Sequence, residues 1–215
     1  MKKIKDYSLY LILSEKFAKK RDVLEVAKEA IEAGIDILQM REKEKSQEEL
    51  IRLGSQLSSL CKNKEVIFIV NDDPVVAKEV GADGVHLGQK DITKCSIKEA
   101  RDILGKDKII GVSTHSIEEL RKAEKSDCDY IAYGPIFSTV TKDYLIGTDD
   151  MENVLALGQK PIVFIGGITL DNIDTLLSKG AKIIAAIRAL LEVDDTRGTI
   201  SKFKEKISNY KQGIK

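Results

Sequence analysis

The 215-residue chain has no tryptophan, only three prolines, and no excess charge of either sign. Thirty-five basic residues balance 35 acidic ones, so the chain lacks the cationic surplus on which binding to nucleic acid or anionic lipid depends. Its apolar runs all fall short of the roughly 20 residues that span a bilayer. We therefore expect neither nucleic acid nor a membrane as a partner.

Cysteines are also few. Cys61, Cys95 and Cys128 are widely spaced and odd in number, which fits neither a disulfide framework nor a metal cluster. They are typical of reduced cytosolic thiols. The first residues show neither the apolar core nor the cleavage site of a secretory signal. We therefore expect a cytoplasmic protein.

What the chain does have is a regular alternation of short apolar segments with amphipathic ones. Most of the apolar segments are continuous and do not alternate with polar residues, which is typical of parallel strands buried on both faces. The predicted strands are residues 8–13, 35–40, 66–70, 84–87, 108–112, 130–133, 162–165 and 183–187.

The segments between these strands carry the signals of helix ends. Ser46 with Glu49 forms a capping-box pattern, and Ser116 and Thr169 also predict helix starts. Glycine follows a predicted helix, where a left-handed C-cap is favoured, at positions 34, 81 and 180.

Eight strand–helix units in 215 residues, about 27 residues each, close naturally into an α/β fold of the (β/α)₈ TIM-barrel type. We predict one such domain over residues 1–215. An open doubly wound sheet is the alternative. It is disfavoured because no Gly-x-Gly-x-x-Gly follows the first strand.

Polar residues follow the predicted strands at their carboxyl ends, where barrels of this kind hold their chemistry. Among them are three cations, Arg41, Lys43 and Lys142, and two carboxylates on neighbouring strand ends, Asp72 and Asp91. Cations together with two carboxylates indicate a polyphosphate held through Mg²⁺, which prefers carboxylate oxygens and retains waters.

A second anion site is predicted near the last two strands. Gly167 and the loop after the eighth strand can offer main-chain N–H groups to a phosphate, as is usual in this barrel.

Each of these residues also has a purely structural interpretation, which the sequence leaves open. Asp72 or Asp91 could cap the helix that follows, and residues 41–43 could be a solvated run of charge. His86 is interpreted as a packed strand residue and His115 as part of a helix start.

Taken together, the strand-end segments resemble the thiamine phosphate synthase (thiamine-phosphate pyrophosphorylase) family over nearly the whole chain. The resemblance lies in the order and spacing of Gln39-x-Arg41-x-Lys43, Asn71-Asp72, His86-Leu87-Gly88-Gln89-x-Asp91, Gly111-Val112-Ser113, Gly134-Pro135-Ile136-Phe137-x-Thr139-x-Thr141-Lys142 and Gly166-Gly167-Ile168.

The resemblance implies a transferase of thiamine biosynthesis on a (β/α)₈ barrel. Its small-molecule substrates would be 4-amino-2-methyl-5-(diphosphooxymethyl)pyrimidine and a thiazole phosphate, carboxylated in one form. Its products would be thiamine phosphate and diphosphate, with CO₂ from the carboxylated thiazole. The reaction would be dissociative and Mg²⁺-dependent. The sequence leaves open whether the chain forms a homo-oligomer.

The resemblance also implies residue roles. Positions implied to hold the pyrimidine diphosphate are Gln39, Met40, Arg41, Glu42, Lys43, Asn71, Ser113 and Lys142. Those implied to act in catalysis are Arg41, Lys43, Ser113 and Lys142. Those implied to hold the thiazole phosphate are Thr139, Val140, Thr141, Gly167, Ile187 and Arg188. Asp72 and Asp91 are implied to bind Mg²⁺.

Several positions depart from the usual pattern of the family, among them Asp73, Ser138 and Arg188. Asp73 could join the metal ligands or cap a helix, and Arg188 could add a bidentate phosphate contact. Two alternative functions remain open at this point. One is the thiazole tautomerase of the sister branch, and the other is a non-catalytic binder of phosphorylated thiamine precursors.

Overall fold

Parallel strands pair in the order in which they occur in the chain, and the last pairs with the first, so the sheet closes into a barrel. The computed structural model describes residues 2–139 and 144–213. Its strands are β1 (Ser8–Leu13), β2 (Ile37–Met40), β3 (Ile67–Asn71), β4 (Gly84–Leu87), β5 (Ile109–Thr114), β6 (Tyr130–Tyr133), β7 (Ile162–Ile165) and β8 (Ile183–Ala186).

Helices lie between the strands, and the predicted TIM barrel is confirmed. A 3₁₀ turn at Glu15–Phe17 precedes them. They are α1 (Val23–Glu32), α2 (Gln47–Lys62), α3 (Pro74–Glu79), α4 (Gln89–Ile92), α5 (Ile97–Leu104), α6 (Ile117–Glu124), α7 (Met151–Leu157), α8 (Ile173–Ser178), α9 (Arg188–Leu191) and α10 (Thr196–Lys211). Among the described residues, no helix combines the length and apolar character needed to cross a bilayer.

Local sequence signals explain most helix boundaries. Ser46 and Glu49 form the predicted capping box of α2, and the hydroxyl of Ser116 caps α6. The predicted helix start at Thr169 is wrong, because Asn172 accepts a hydrogen bond from the Thr169 main chain at 2.8 Å and this turn delays α8 to Ile173.

The core has two layers, separated by the wall of the barrel. Alternate side chains of each strand point inward, among them Tyr10, Ile69, Tyr130 and Val163, and form the apolar filling of the barrel. The other side chains point outward and pack under the helices. Because both faces are buried, the strands read as continuous apolar runs, and for this reason the sequence predicts them well.

Three aspartates tie the strands together at the amino end of the barrel. Asp36, Asp83 and Asp129 directly precede β2, β4 and β6. Each carboxylate accepts the main-chain N–H of a residue in the preceding strand, and the residues that donate are Leu9, Phe68 and Ile110. Each carboxylate also pairs with a cation from elsewhere in the chain, and the cations are Lys204, Lys2 and Arg101.

The contacts of Asp129 predict that its loss will destabilise the fold. Asp129→Ala is expected to lower the free energy of unfolding by about 3 kcal/mol, because it leaves the buried Ile110 N–H without an acceptor and removes one of the two carboxylates that pair with Arg101. The Arg101 side chain is only 12% exposed, so water cannot easily replace the lost carboxylate. Urea denaturation followed by circular dichroism measures the change.

Asp127→Ala is the matched control. The Asp127 carboxylate also pairs with Arg101, at 3.0 Å, but it is 73% exposed. Its loss is expected to cost less than about 1 kcal/mol, as for most surface ion pairs. If the two variants lost the same free energy of unfolding, the hydrogen bond from the Ile110 main chain to Asp129 would add nothing to stability beyond a surface ion pair.

Candidate active site

The carboxyl ends of the strands meet at one mouth of the barrel, and the alternation of side chains decides which residues face it. Asn71 is the last residue of β3 and lies opposite His86 of β4 in the strand register. Ser113 lies near the end of β5 and contacts the His86 ring. Arg41 follows β2, two residues beyond the inward-facing Gln39.

Two carboxylates come together at this mouth. The carboxyl groups of Asp72 and Asp91 are within hydrogen-bonding reach of each other. A side chain at Gly88 would begin 2.7 Å from an oxygen of Asp91 and 3.9 Å from an oxygen of Asp72, so both carboxylates crowd the same point. Gly88 therefore supplies the space in which they meet. The main-chain N–H of Asp72 donates to the carbonyl of His86 at 2.8 Å, and φ is +67° at Asp72.

The electrostatics of this pair are unfavourable to two negative charges. Burial, followed by the hydrogen bond and the like charge of Asp91, raises the pKa of Asp72 from 3.8 to about 6. Two cations oppose this rise. Lys43 Nζ lies 3.9 Å from Asp72 Oδ2, and the charge of Arg41 also acts on Asp72. The fold thus brings together the two predicted carboxylates and two of the three predicted cations.

The donor set fits a hard divalent cation. Two neighbouring carboxylates that repel each other are relieved when a cation lies between them, and Mg²⁺ commonly takes one or two carboxylates and completes its shell with waters and phosphate oxygens. Within residues 2–139 and 144–213, no third His, Cys, Asp or Glu completes a metal-binding group. Asp73 is engaged otherwise, since its carboxylate caps α3 by accepting from the N–H groups of Val75 and Val76.

Three side chains of the segment predicted to hold a diphosphate are engaged within the protein. Gln39 is 1% exposed and donates to Tyr10 inside the barrel. Met40 points to the outer face, towards α2, which leaves only its main chain for a ligand. The Glu42 carboxylate accepts from the main-chain N–H of Glu15 at 2.6 Å and so joins the loops after β1 and β2. Its burial raises its pKa.

The described residues among those predicted to hold the thiazole phosphate follow β6, β7 and β8. Gly167 has φ +63°, and a side chain there would begin 2.4 Å from the carbonyl oxygen of Ser138, so the loop after β6 passes directly over it. Ile187 immediately precedes α9. The Arg188 guanidinium pairs with Glu192 at 2.6 Å, which occupies the fork that could have met a phosphate.

Part of this prediction concerns residues outside the described ranges. Val140, Thr141 and Lys142 lie there, between Thr139 and Tyr144. Thr139 is described and has interactions of its own.

The sequence interpretation missed one feature of the mouth. His86 is buried, as expected of a packed strand residue, but both of its ring nitrogens have polar partners. Nδ1 lies 2.8 Å from the hydroxyl of Tyr130, and Nε2 lies 2.8 Å from the hydroxyl of Ser113. Burial and the nearby charge of Arg41 lower the pKa of His86 to about 4. The bare position Gly111, which gives room to the Tyr130 ring, is the one sequence signal that could have revealed this arrangement.

Known proteins similar to this chain point in one direction. A model of the thiamine monophosphate synthase family matches residues 9–190. A thiamine-phosphate synthase of Halalkalibacterium halodurans is 41% identical over 93% of this chain and 95% of its own length. One from Caldicellulosiruptor saccharolyticus is 39% identical over 97% of this chain and 94% of its own.

Comparison with solved structures supports the same family. A thiamine phosphate pyrophosphorylase from Pyrococcus furiosus superposes with a TM-score of 0.87 at 32% identity, covering 95% of this chain and 96% of that one. A 3-hexulose-6-phosphate synthase shares the fold alone, with a TM-score of 0.61 at 19% identity over 93% of this chain and 99% of its own. The match to the family model and the extent of the similarity to its members together show that this chain belongs to the thiamine monophosphate synthase family.

Proposed function

We propose that this chain is a thiamine-phosphate synthase that joins 4-amino-2-methyl-5-(diphosphooxymethyl)pyrimidine to a thiazole phosphate and releases diphosphate. With the carboxylated thiazole, CO₂ is also released. The observation that carries the proposal is the pair Asp72 and Asp91, flanked by Arg41 and Lys43, at the mouth of the barrel. A thiazole tautomerase would have no need of such a diphosphate and metal cluster.

Asp72 and Asp91 would hold Mg²⁺, which when bound supplies positive charge to the departing diphosphate. Arg41 and Lys43 add fixed positive charge on the same side. Because these groups are already in place, they stabilise the charge that develops on the leaving group without reorganising at the moment of reaction. Lys142 is part of the same proposal, although it lies outside the described residues.

The proposed reaction needs no protein nucleophile. Diphosphate leaves first, the pyrimidine ring stabilises the positive charge on the methylene, and the thiazole nitrogen then attacks that carbon. The protein binds and orients the two rings and stabilises the leaving group. Ser113 and Asn71, at the ends of β5 and β3, would donate hydrogen bonds to the pyrimidine diphosphate. Gly167 and the main chain at Ile187 and Arg188, with Thr139 to Thr141, would bind the thiazole phosphate, since the Arg188 guanidinium pairs with Glu192.

The direct test is to incubate the purified protein with both substrates and Mg²⁺ and to detect thiamine phosphate by chromatography. We expect product with both substrates and none when either one is omitted. Isomerisation of the carboxylated thiazole phosphate without coupling would identify the tautomerase. Tight binding of a precursor with no turnover, and no change on adding Mg²⁺, would identify a binder.

The carboxylate pair also predicts how pH and metal affect stability. The folded-state pKa of Asp72, about 6, lies above its ordinary value of 3.8. The protonated form is therefore favoured in the folded protein. Its stabilising contribution is fully present below about pH 4 and is lost as the pH rises through about 6. A cation bound by the ionised pair should restore what is lost.

We therefore expect Mg²⁺ to raise the melting temperature more at about pH 7.5 than at about pH 5. Differential scanning fluorimetry measures this, with NaCl added to match the ionic strength. Asp72→Asn removes the repulsion between the two charges and should make the response to Mg²⁺ small at both pH values. A response to Mg²⁺ that is equal at both pH values in the unmodified protein would contradict the assignment.

A further inference from the structure

A chain of polar groups crosses the otherwise apolar interior of the barrel. Gln39 Nε2 donates to the Tyr10 hydroxyl at 2.7 Å, and this hydroxyl lies 2.9 Å from that of Tyr130. The Tyr130 hydroxyl lies 2.8 Å from Nδ1 of His86, whose Nε2 lies 2.8 Å from the hydroxyl of Ser113. We call these five residues the polar chain. Gln39, Tyr10, Tyr130 and His86 are at most 8% exposed, so water does not substitute for any of their links.

The barrel is built to accommodate this chain. Gly111 lies opposite Tyr130 in the register of β5 and β6, and a Cβ atom there would be 2.0 Å from Cζ of the Tyr130 ring. The ring therefore lies across a neighbouring strand at a point where any side chain would collide with it. His86 lies on the other side and stacks on the same ring with the centroids 5.5 Å apart. A residue at position 111 larger than glycine would push the phenol away from both of its partners.

Only one direction of the links, starting from the Gln39 amide as donor, gives every hydrogen of the polar chain an acceptor. Burial raises the pKa of both phenols, so each keeps a hydrogen, and a buried hydrogen without an acceptor is costly. Because Gln39 donates to Tyr10, Tyr10 must donate to Tyr130. Tyr130 in turn must donate to Nδ1 of His86. The single hydrogen of the neutral His86 ring then resides on Nε2 and points to the oxygen of Ser113.

We propose that the polar chain fixes the Ser113 hydroxyl as a hydrogen-bond donor towards the mouth of the barrel, and that Tyr130 and His86 are positioning residues for it. An oxygen that already accepts from His86 has its own hydrogen left to give. That hydrogen is then available at the mouth of the barrel to an anionic oxygen of the substrate. The role of the polar chain in turnover rests on the proposed function, whereas the direction of its hydrogen bonds does not.

The direction can be read from the nitrogen-15 NMR spectrum of the histidine rings, without substrate. The protein has two histidines, so the spectrum is simple. In the His115→Asn variant, the remaining ring signals belong to His86. His115 Nδ1 lies 2.6 Å from the carbonyl oxygen of Gly134, which can only accept, so His115 provides a reference for a hydrogen on Nδ1. We expect His86 to show the opposite tautomer, with its hydrogen on Nε2. A hydrogen on Nδ1 of His86 would reverse every link and overturn the proposal.

The variant Tyr130→Phe tests whether the polar chain sets the tautomer of His86. It removes the donor to Nδ1, so we expect the His86 hydrogen to redistribute between the two nitrogens. We also expect kcat to fall by about tenfold with a smaller change in KM, as for the loss of one hydrogen bond made mainly in the transition state. An unchanged tautomer together with unchanged kcat would overturn the proposal.

Tyr133→Phe is the matched control. It makes the same chemical change on the same strand, at a residue that is fully buried on the outer face of the barrel. Its hydroxyl has no hydrogen-bond partner among the residues the structure describes, and burial raises its pKa. We expect neither the His86 tautomer nor kcat to change.

A second pair of variants keeps the proposal testable if Tyr130→Phe fails to fold. His86→Gln retains an N–H at the place of Nε2 and should keep kcat within about threefold. His86→Leu has no donor to Ser113 and should lose about tenfold. Equal losses in two variants of equal melting temperature would show that His86 acts only in packing. If the unmodified protein formed no thiamine phosphate, the proposed function would be refuted. The nitrogen-15 spectrum of the histidine rings would still decide the direction of the hydrogen bonds in the polar chain.

Discussion

Asp91→Asn is expected to lower kcat by about 10²-fold or more and to raise the Mg²⁺ concentration needed for half-maximal activity. The amide keeps the size of the side chain but removes one of the two charges that would hold the cation. The Asp91 carboxylate lies on the short helix α4, directly beside Asp72. The loss should therefore affect the leaving group and leave the fold intact. Steady-state kinetics at a series of Mg²⁺ concentrations measures both effects.

The neighbouring acid Asp73 provides the control. Its carboxylate caps α3 and so is not available to a metal. Asparagine caps helices about as well as aspartate, so Asp73→Asn should keep both the stability and the Mg²⁺ requirement. A loss in Asp73→Asn as large as that in Asp91→Asn would mean that local negative charge matters more than the geometry of the pair. An unchanged Mg²⁺ requirement in Asp91→Asn would remove Asp91 from the metal ligands.

The sequence predicts the strands and the side of the barrel that carries the polar residues because both depend on local patterns. Buried parallel strands are continuous apolar runs, and polar residues that follow several such runs must meet at one mouth. In the same way, the approach of Lys43 to Asp72 follows from their places after β2 and β3.

What the sequence does not predict depends on short or nonlocal features. The helix that presents Asp91 has four residues, which is too short for a 3.6-residue periodicity to register. Met40 could have been placed from the alternation alone, because an inward Gln39 makes its neighbour face outward. Although Gly111 leaves room for a neighbouring ring, the polar chain could not have been placed from the alternation alone. It joins residues on five different strands, and only the closed barrel brings their side chains within hydrogen-bonding distance.

The largest effect on stability is expected where β4 and β5 approach each other closely, at Gly84. A Cβ atom at Gly84 would be 2.0 Å from the carbonyl oxygen of Ile109, its partner in the strand register. That oxygen belongs to the main chain and cannot move aside without separating the two strands. Gly84→Ala is therefore expected to lower the free energy of unfolding by at least about 3 kcal/mol, the upper range for overpacking a core. Urea denaturation measures the loss.

Gly34→Ala separates this collision from the general cost of replacing glycine. Gly34 follows α1 with φ +91°, and nothing lies within 4 Å of a side chain placed there. Only the strain of the left-handed backbone is introduced, which costs about 1–2 kcal/mol. If Gly84→Ala cost no more than Gly34→Ala, β4 and β5 would have room to separate. The His86 carbonyl, two residues further along β4, binds the Asp72 main chain, so a rigid contact between β4 and β5 also helps to hold the carboxylate pair in place.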